Sequence, residues 1–270
     1  LKPLITLSDK AQKLEPPRLS GRLHLSPLPP ELDHLVNGFN STLDRVEQAY
    51  TRLESFNADV AHELRSPLTN LIGQTQVALT RGRSAEHYFE VLQSNLEELE
   101  RLRSIINDML FLASADQGSK ASKLTRASLA DEVATTLDYL EFILEDAHVS
   151  VRVSGDAQVN IEKAHLRRAL INLLSNAVQH TAPGQHIDVQ IEQTAHQASI
   201  SISNPGDPIA AEHLPRLFER FYRVDASRHN SVANHGLGLA IVKAIAQMHG
   251  GEVFVRTGEG RNTFGLHLPM

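Results

Sequence analysis

The stretch Ala61-His62-Glu63-Leu64-Arg65-Ser66-Pro67-Leu68-Thr69-Asn70-Leu71 lies in the middle of a long helical pattern. On a helical wheel, residues 56–79 gather Phe56, Val60, Leu64, Leu68 and Leu71 into one apolar arc and set His62, Ser66, Thr69 and Gly73 opposite. An amphipathic helix with His62 facing solvent is expected. Pro67 removes the backbone bond that would return to the carbonyl of Glu63 and crowds the preceding turn, at about 3 kcal/mol, so a local bend one turn after an exposed histidine is expected too. Taken alone, His62 reads as one of 14 histidines on a solvated surface.

Working outward, Leu32, Leu35, Phe39, Leu43, Val46, Tyr50, Leu53, Phe56, Val60, Leu64, Leu68 and Leu71 recur at steps of three or four, the seam of a bundle helix. Thr80-Arg81-Gly82-Arg83-Ser84 interrupts the pattern. A second amphipathic run follows through Phe89, Leu92, Leu96, Leu99, Leu102, Ile106, Met109 and Leu112. Two long antiparallel helices cannot bury their apolar faces alone, so a four-helix bundle built by two chains, and hence a homodimer, is expected. Ahead of the hairpin, Leu1 to about Lys13 and a connector holding Pro16, Pro17, Pro27, Pro29 and Pro30 read either as a signal-transmitting module, which the spacing favours, or as a frayed end.

After Asp116-Gln117-Gly118-Ser119 the character becomes mixed. Val149–Val153, His186–Glu192, Ala198–Ser203, Glu252–Arg256 and Thr263–Leu268 alternate as strands do, with helical runs at about 162–180 and 237–249. This predicts an α/β domain. The 270 residues, 41% hydrophobic and 21% charged, suit about two folded domains. Acidic residues outnumber basic ones 32 to 26, a net charge of −6, which argues against a broad nucleic-acid-binding face. The absence of cysteine excludes a disulfide scaffold, a cysteine nucleophile and a thiolate metal site. No apolar run approaches the roughly 20 residues of a membrane span, and the first residues do not read as a signal peptide.

His62-Glu63-Leu64-Arg65-Ser66-Pro67-Leu68 resembles the H-box of bacterial two-component sensor histidine kinases. The chemistry fits the residue types: a neutral imidazole nitrogen attacks the γ-phosphoryl of ATP, and a carboxylate beside it, here Glu63, accepts the other ring N–H. By the same resemblance Ser66, four places after the histidine, orients a hydrolytic water in phosphatase turnover; Thr or Asn is more usual there.

Further boxes follow in the family's order. Leu170-Ile-Asn172-Leu-Leu-Ser-Asn176-Ala-Val-Gln179-His180 resembles the N-box, with Asn172 and Asn176 on one helix face and Asn176 implied as the Mg²⁺ ligand. Ser203-Asn204-Pro205-Gly206-Asp207-Pro208-Ile209 resembles the G1 box, where adenine is placed; Asn204 replaces the usual Asp and Pro208 the second glycine. An amide oxygen still accepts the adenine amino proton, through a neutral rather than a charge-assisted bond. Leu217-Phe218-Glu-Arg-Phe221-Tyr222-Arg223 resembles the F-box, with Arg223 a phosphate contact. Gly236-Leu237-Gly238-Leu239 resembles the G2 box, where glycines at a helix N-terminus let backbone N–H groups reach phosphates; an earlier glycine is missing near Ala233. Gln179 stands where a Lys or Arg is common.

The resemblance implies a HAMP-like linker over 1–52, a dimerisation and phosphotransfer hairpin over 53–117 and an ATP-binding sandwich over 118–270 of the gyrase, Hsp90, histidine kinase and MutL type. It further implies an autokinase that uses ATP and Mg²⁺, phosphorylates itself on His62 and passes phosphate to an aspartate of a response regulator receiver domain. The stretches around His62, Asn204 and Glu212–Asp225 are similar to the heavy-metal sensor kinases, notably those for copper and silver. The chain then reads as the cytoplasmic portion of an inner-membrane protein, touching the membrane only through segments outside it. A hinge is expected near Ala115–Ser122. The alternative is a phosphatase-biased or catalytically degenerate dimeric scaffold, which the departures at Asn204, Pro208 and Gln179 keep open.

Overall fold

The computed structural model describes Arg22, residues 30–80, Gly82, residues 84–224 and residues 235–270. Most of the expected linker, with Pro16, Pro17, Pro27 and Pro29 of its connector, therefore lies outside the described residues, as do Ala233 and His229. The chain divides into two units, Leu1–Leu68 and Thr69–Met270.

In the first unit, helix α1 (Pro30–Thr80) begins and runs unbroken past Pro67, so the proline's lost backbone bond does not end it. Val36 and Leu43 are buried. Arg22 is clipped to this helix, its guanidinium bonding the Asp44 carboxylate at 2.8 Å and Glu47 at 2.5 Å. Phe56, Val60 and Leu64 are half-buried and His62 and Ser66 exposed, as the wheel requires; Leu68, in the apolar arc, is exposed as well.

In the second unit the last turns of α1 pair with α2 (Ala85–Asp116), with Asn95 Nδ2 donating to Thr75 Oγ1 at 3.1 Å and Asn70 to Glu98 at 3.4 Å. Ser84 caps α2 by accepting from the His87 N–H. The lower part of α2 lies on the α/β domain. There Ile105 and Leu112 are buried, Asp108 pairs with Arg168 at 2.5 Å, and the Arg168 guanidinium lies 4.2 Å over the Phe111 ring. Phe111 in turn meets His165 edge-on, and Asp116 pairs with Arg220 at 2.6 Å.

The α/β domain starts with β1 (Thr125–Ser128), α3 (Leu129–Tyr139) and α4 (Glu141–Asp146), none of them read from the sequence. Strands β2 (Ser150–Ser154), β4 (His186–Gln193), β5 (Gln197–Pro205), β6 (Glu252–Gly258) and β7 (Arg261–Pro269) confirm the predicted strands within a residue or two. They form a sheet of order β2-β4-β5-β7-β6, parallel only between β2 and β4, while β1 pairs separately with β3 (Gln158–Ile161). Alternation puts Ile187, Val189, Ile200, Ile202, Phe264 and Leu266 inward. On that face lie α5 (Lys163–Gln179) and α6 (Gly238–Met248), contributing Leu166, Leu170, Leu173, Leu174, Ile241 and Ile245. Each such side chain contributes about 1.5–3 kcal/mol by leaving water.

One charge is buried in this layer. Glu132 on α3, whose side chain is 3% exposed, accepts from Lys163 Nζ at 2.9 Å and Arg167 Nε at 2.7 Å, tying α3 to α5. Desolvation works against the carboxylate, but the hydrogen bonds from Lys163 and Arg167 outweigh it and hold the group below its ordinary range. A lowered folded-state value means the contribution is complete at neutral pH and fades as pH falls below about 4.5, the unfolded value. Replacing Glu132 by Gln should therefore cost about 1–3 kcal/mol at pH 7. Denaturant melts of both proteins should converge towards pH 3; an equal gap at both pH values would show that the charge is not what matters.

Candidate functional site

His62, Glu63 and Ser66 lie on α1 within the first unit. His62 and Ser66 are exposed, and at i and i+4 they share one face of the helix; Glu63 is half-buried beside them. The His62 imidazole is accessible from solvent, and the Ser66 hydroxyl one turn on projects from the same face.

The second unit assembles most of the remaining candidates where α5 and α6 meet at one end of the sheet. Asn172 and Asn176 are both half-buried on α5, and Asn172 Nδ2 donates to the Arg168 carbonyl at 2.9 Å. The first residue of α6 is packed against Asn172: a Cβ on Gly238 would come within 2.7 Å of Asn172 Oδ1. Leu237 stands at the N-cap of α6 and no side chain among the described residues caps this end, which leaves first-turn N–H groups available to an anion. The glycines, the helix end and the Asn172 amide together fit the size and charge of a triphosphate, and an amide oxygen such as that of Asn176 is of the hard type a divalent cation takes.

The F-box and the G2 box meet at the ends of the 225–234 segment. Phe221 N donates to the Gly236 carbonyl at 2.8 Å, Phe221 itself has φ +59°, and a Cβ on Gly236 (φ +69°) would lie 2.7 Å from the Phe221 backbone. Only glycine fits at 236. Phe218 is buried edge-on to Phe264, at 6.4 Å between ring centres, and Tyr222 is held through its hydroxyl, 2.6 Å from His213 Nδ1. Arg223 is exposed. Next to Gly236, His235 is buried, and desolvation, helped by the charges of Arg101 and Arg223, pushes its pKa down to about 4, so the ring is neutral at pH 7. Among the described residues no group of three or more metal-ligating side chains occurs.

At the far end of β5, Asn204 is 1% exposed and its Nδ2 donates to the Pro205 carbonyl at 3.0 Å. The following loop is fastened by residues the motif reading missed. Asn262, opposite Asn204 in the ladder, donates to the Asp207 carbonyl at 2.9 Å, and Thr257 donates to Asn262 Oδ1 at 2.6 Å while accepting from Ile209 N at 3.0 Å. Gly206 N bonds the Gly260 carbonyl at 2.9 Å. From the sheet's other face, Arg261 donates to Ser203 Oγ, to the Ser203 carbonyl and to Asp188. These contacts bring Asn204, Gly206 and Ile209 into one fastened loop. His180, exposed, is the residue that follows the last turn of α5, and Asn176 lies one turn before it on the same helix.

Comparison with known proteins agrees with this geometry. Residues 52–118 match the His Kinase A (phospho-acceptor) domain, and residues 161–270 match the family of histidine kinase-, DNA gyrase B-, and HSP90-like ATPases. The sensor histidine kinase CusS of Escherichia coli O157:H7 is 44% identical over 99% of this chain and 56% of its own length. The sensor protein CzcS of Cupriavidus metallidurans is 40% identical over 100% of this chain and 57% of its own. The chain thus spans little more than half the length of these relatives. Among solved structures, the histidine kinase AdeS of Acinetobacter baumannii superposes with a TM-score of 0.63 at 22% identity, covering 77% of this chain and 98% of that one, a likeness of fold. With a phospho-acceptor hairpin followed by an ATPase domain of this type, the chain belongs to the sensor histidine kinase family.

Proposed function

We propose that this chain is the catalytic part of an ATP-dependent histidine autokinase which phosphorylates His62 and passes the phosphoryl group to an aspartate of a response regulator receiver domain. The observation that carries the reading is the glycine-opened N-terminus of α6 set against Asn172, in a chain that also presents an exposed histidine on its phospho-acceptor helix. ATP supplies the phosphoryl group. A ring nitrogen of His62 forms the new N–P bond as the bond to the ADP oxygen breaks, and Glu63 takes the N–H of the opposite ring nitrogen, which keeps the attacking nitrogen's lone pair available. Asn176 holds Mg²⁺, and Asn204 accepts from the adenine amino group. Arg223 and the first-turn N–H groups of α6 neutralise phosphate charge, with Leu237 and Leu239 walling the site and Ile209, Phe218 and Phe221 supporting it. Ser66 positions water for hydrolysis of the phosphorylated partner, which gives the protein phosphatase activity as well.

The same reading assigns a HAMP-like linker to 1–52, the phosphotransfer hairpin to 53–117 and the catalytic domain to 118–270. The hinge is assigned to Ala115–Ser122, where the contacts change sides: Gln117, Gly118 and Ser119 bond back to α2. Beyond them, Ala121 N bonds the Met248 carbonyl, and Ser122 and Lys123 N–H groups bond Glu162, so those residues travel with the catalytic domain. The hairpin supports a homodimer, because Phe89, Leu92 and Leu96 are 68%, 66% and 58% exposed along one α2 stripe and Leu79 is 78% exposed on α1. The sensed signal is assigned to a heavy metal on the stretches shared with that group of kinases, and the chain to the cytoplasmic side of a bacterial inner membrane.

Incubation with labelled ATP should give an acid-labile phosphate on the wild-type chain and none on His62→Gln; equal label on both would end the assignment of His62. Changing Leu92 and Leu96 to Glu should convert the sedimenting species from dimer to monomer while circular dichroism is unchanged, whereas a persistent dimer would move the interface elsewhere. Gly236→Ala, which forces a side chain onto the Phe221 backbone in a left-handed conformation, should weaken ATP binding by about tenfold to a hundredfold in calorimetry.

A further inference from the structure

His165 on α5 lies where α2 covers the α/β domain. Its ring meets the Phe111 ring of α2 edge-on with 5.4 Å between centres, and the His249 ring, just past the end of α6, edge-on with 6.1 Å. The side chain is 21% exposed, and Nδ1 is buried with no hydrogen-bond partner among the described residues. The charged and titratable groups that face it are Glu162 and Arg168 of its own helix and His249, with Asp108 of α2 behind Arg168 and Lys123 of the entering segment behind Glu162. Glu162 sets a carboxylate oxygen 3.7 Å from Nδ1, too far for a hydrogen bond, and the same oxygen already accepts from the Ser122 and Lys123 N–H groups. Arg168 is held by Asp108 and lies over Phe111. His249 has both ring nitrogens engaged, Nε2 accepting from the Glu162 N–H at 3.0 Å and Nδ1 donating to the Ile245 carbonyl at 2.8 Å. None of these groups offers His165 Nδ1 an acceptor within hydrogen-bond reach.

Desolvation is the largest influence on this ring. It outweighs the attraction of Glu162, is reinforced by His249 and Arg168, and lowers the His165 pKa from its ordinary value. Phe111 supplies part of that cover, so the contact with α2 and the proton compete for the same ring. We propose that the seat of α2 on the α/β domain is a proton-sensitive latch, closed over a neutral His165 and loosened when the ring is protonated. A covered ring takes a proton less readily than an uncovered one. The latch is therefore at full strength above the ordinary histidine value of about 6.5 and weakens as pH falls through it, down to the covered ring's own lower value. One proton changes the ratio of closed to open by at most about tenfold per pH unit. Opening parts Phe111 from His165 and Asp108 from Arg168, and leaves the α/β domain attached to α2 through the hinge. The latch stands apart from the nucleotide site and does not depend on what binds there.

The full 270-residue chain has no cysteine, so single introduced cysteines report opening through their reaction with a disulfide reagent. Leu112→Cys puts a thiol at a buried position of α2 on this contact, and its labelling rate divided by that of the exposed reference Ser104→Cys gives the open fraction. Between about pH 7.5 and about pH 5.5, a window above the ordinary carboxylate range, the protection of Leu112→Cys should fall by about threefold to tenfold. Adding His165→Phe, which keeps a ring against Phe111 but takes no proton, should remove that fall, and so should His165→Gln. A flat profile with His165 intact overturns the proposal, as does an equal fall in both His165 variants. Ala198→Cys, buried in β5, should stay protected at both pH values; if its protection is lost in parallel, acid unfolds the whole domain and the latch is refuted.

Discussion

The close approach of Gly238 to Asn172 is the constraint around which the α/β domain is organised. Two helices lie side by side on one face of a sheet, and the N-terminus of the second is pressed against the amide-bearing face of the first with no room for a Cβ between them. That arrangement needs the apolar rows of both helices to be seated first: Leu166, Leu170 and Leu173 on α5, and Ile241 and Ile245 on α6, over Ile200, Ile202 and Leu266 of the sheet. Packing energy thereby holds a half-buried helix end without a side-chain cap from the described residues, a local cost that an anionic ligand can offset.

Much of this was legible beforehand because it is local. The 3.6-residue period of α1, α2, α5 and α6 and the two-residue period of the five main strands are properties of short windows, and the boxes are contiguous strings. What escaped is of two kinds. Strands β1 and β3 have four residues each, too few for alternation to be convincing, and they mean something only as a pair. Helix α3 did carry a signal, since Ser128 three places before Asp131 has the spacing of an N-terminal cap, and Ser128 does accept from the Asp131 N–H at 3.1 Å.

The second kind is long-range. Asn262 supports the loop after Asn204 because the β5–β7 register sets the two residues opposite each other, and Glu132 is neutralised by Lys163 and Arg167 from a helix over thirty residues away. No window contains such partners. The apolar arc of α1 illustrates a related limit. A helical wheel tells which residues share a side, while burial depends on what that side meets, which is why Leu68 is exposed although Leu64 and Leu71 on the same arc are half-buried.

The short passage from α2 into the α/β domain has a quantitative meaning. Asp116 ends the helix, and Ala121 is already bonded to the Met248 carbonyl, so only Gln117 to Lys120 separate the two. A stretch that short has a root-mean-square reach of about 11 Å if it behaves as a flexible coil. Over such distances a tethered domain is present around its attachment point at an effective concentration in the millimolar range. Encounter between the catalytic domain and the helix that carries it is then governed by geometry rather than by how much protein a cell contains. Its rate should be the same whether copies are scarce or abundant.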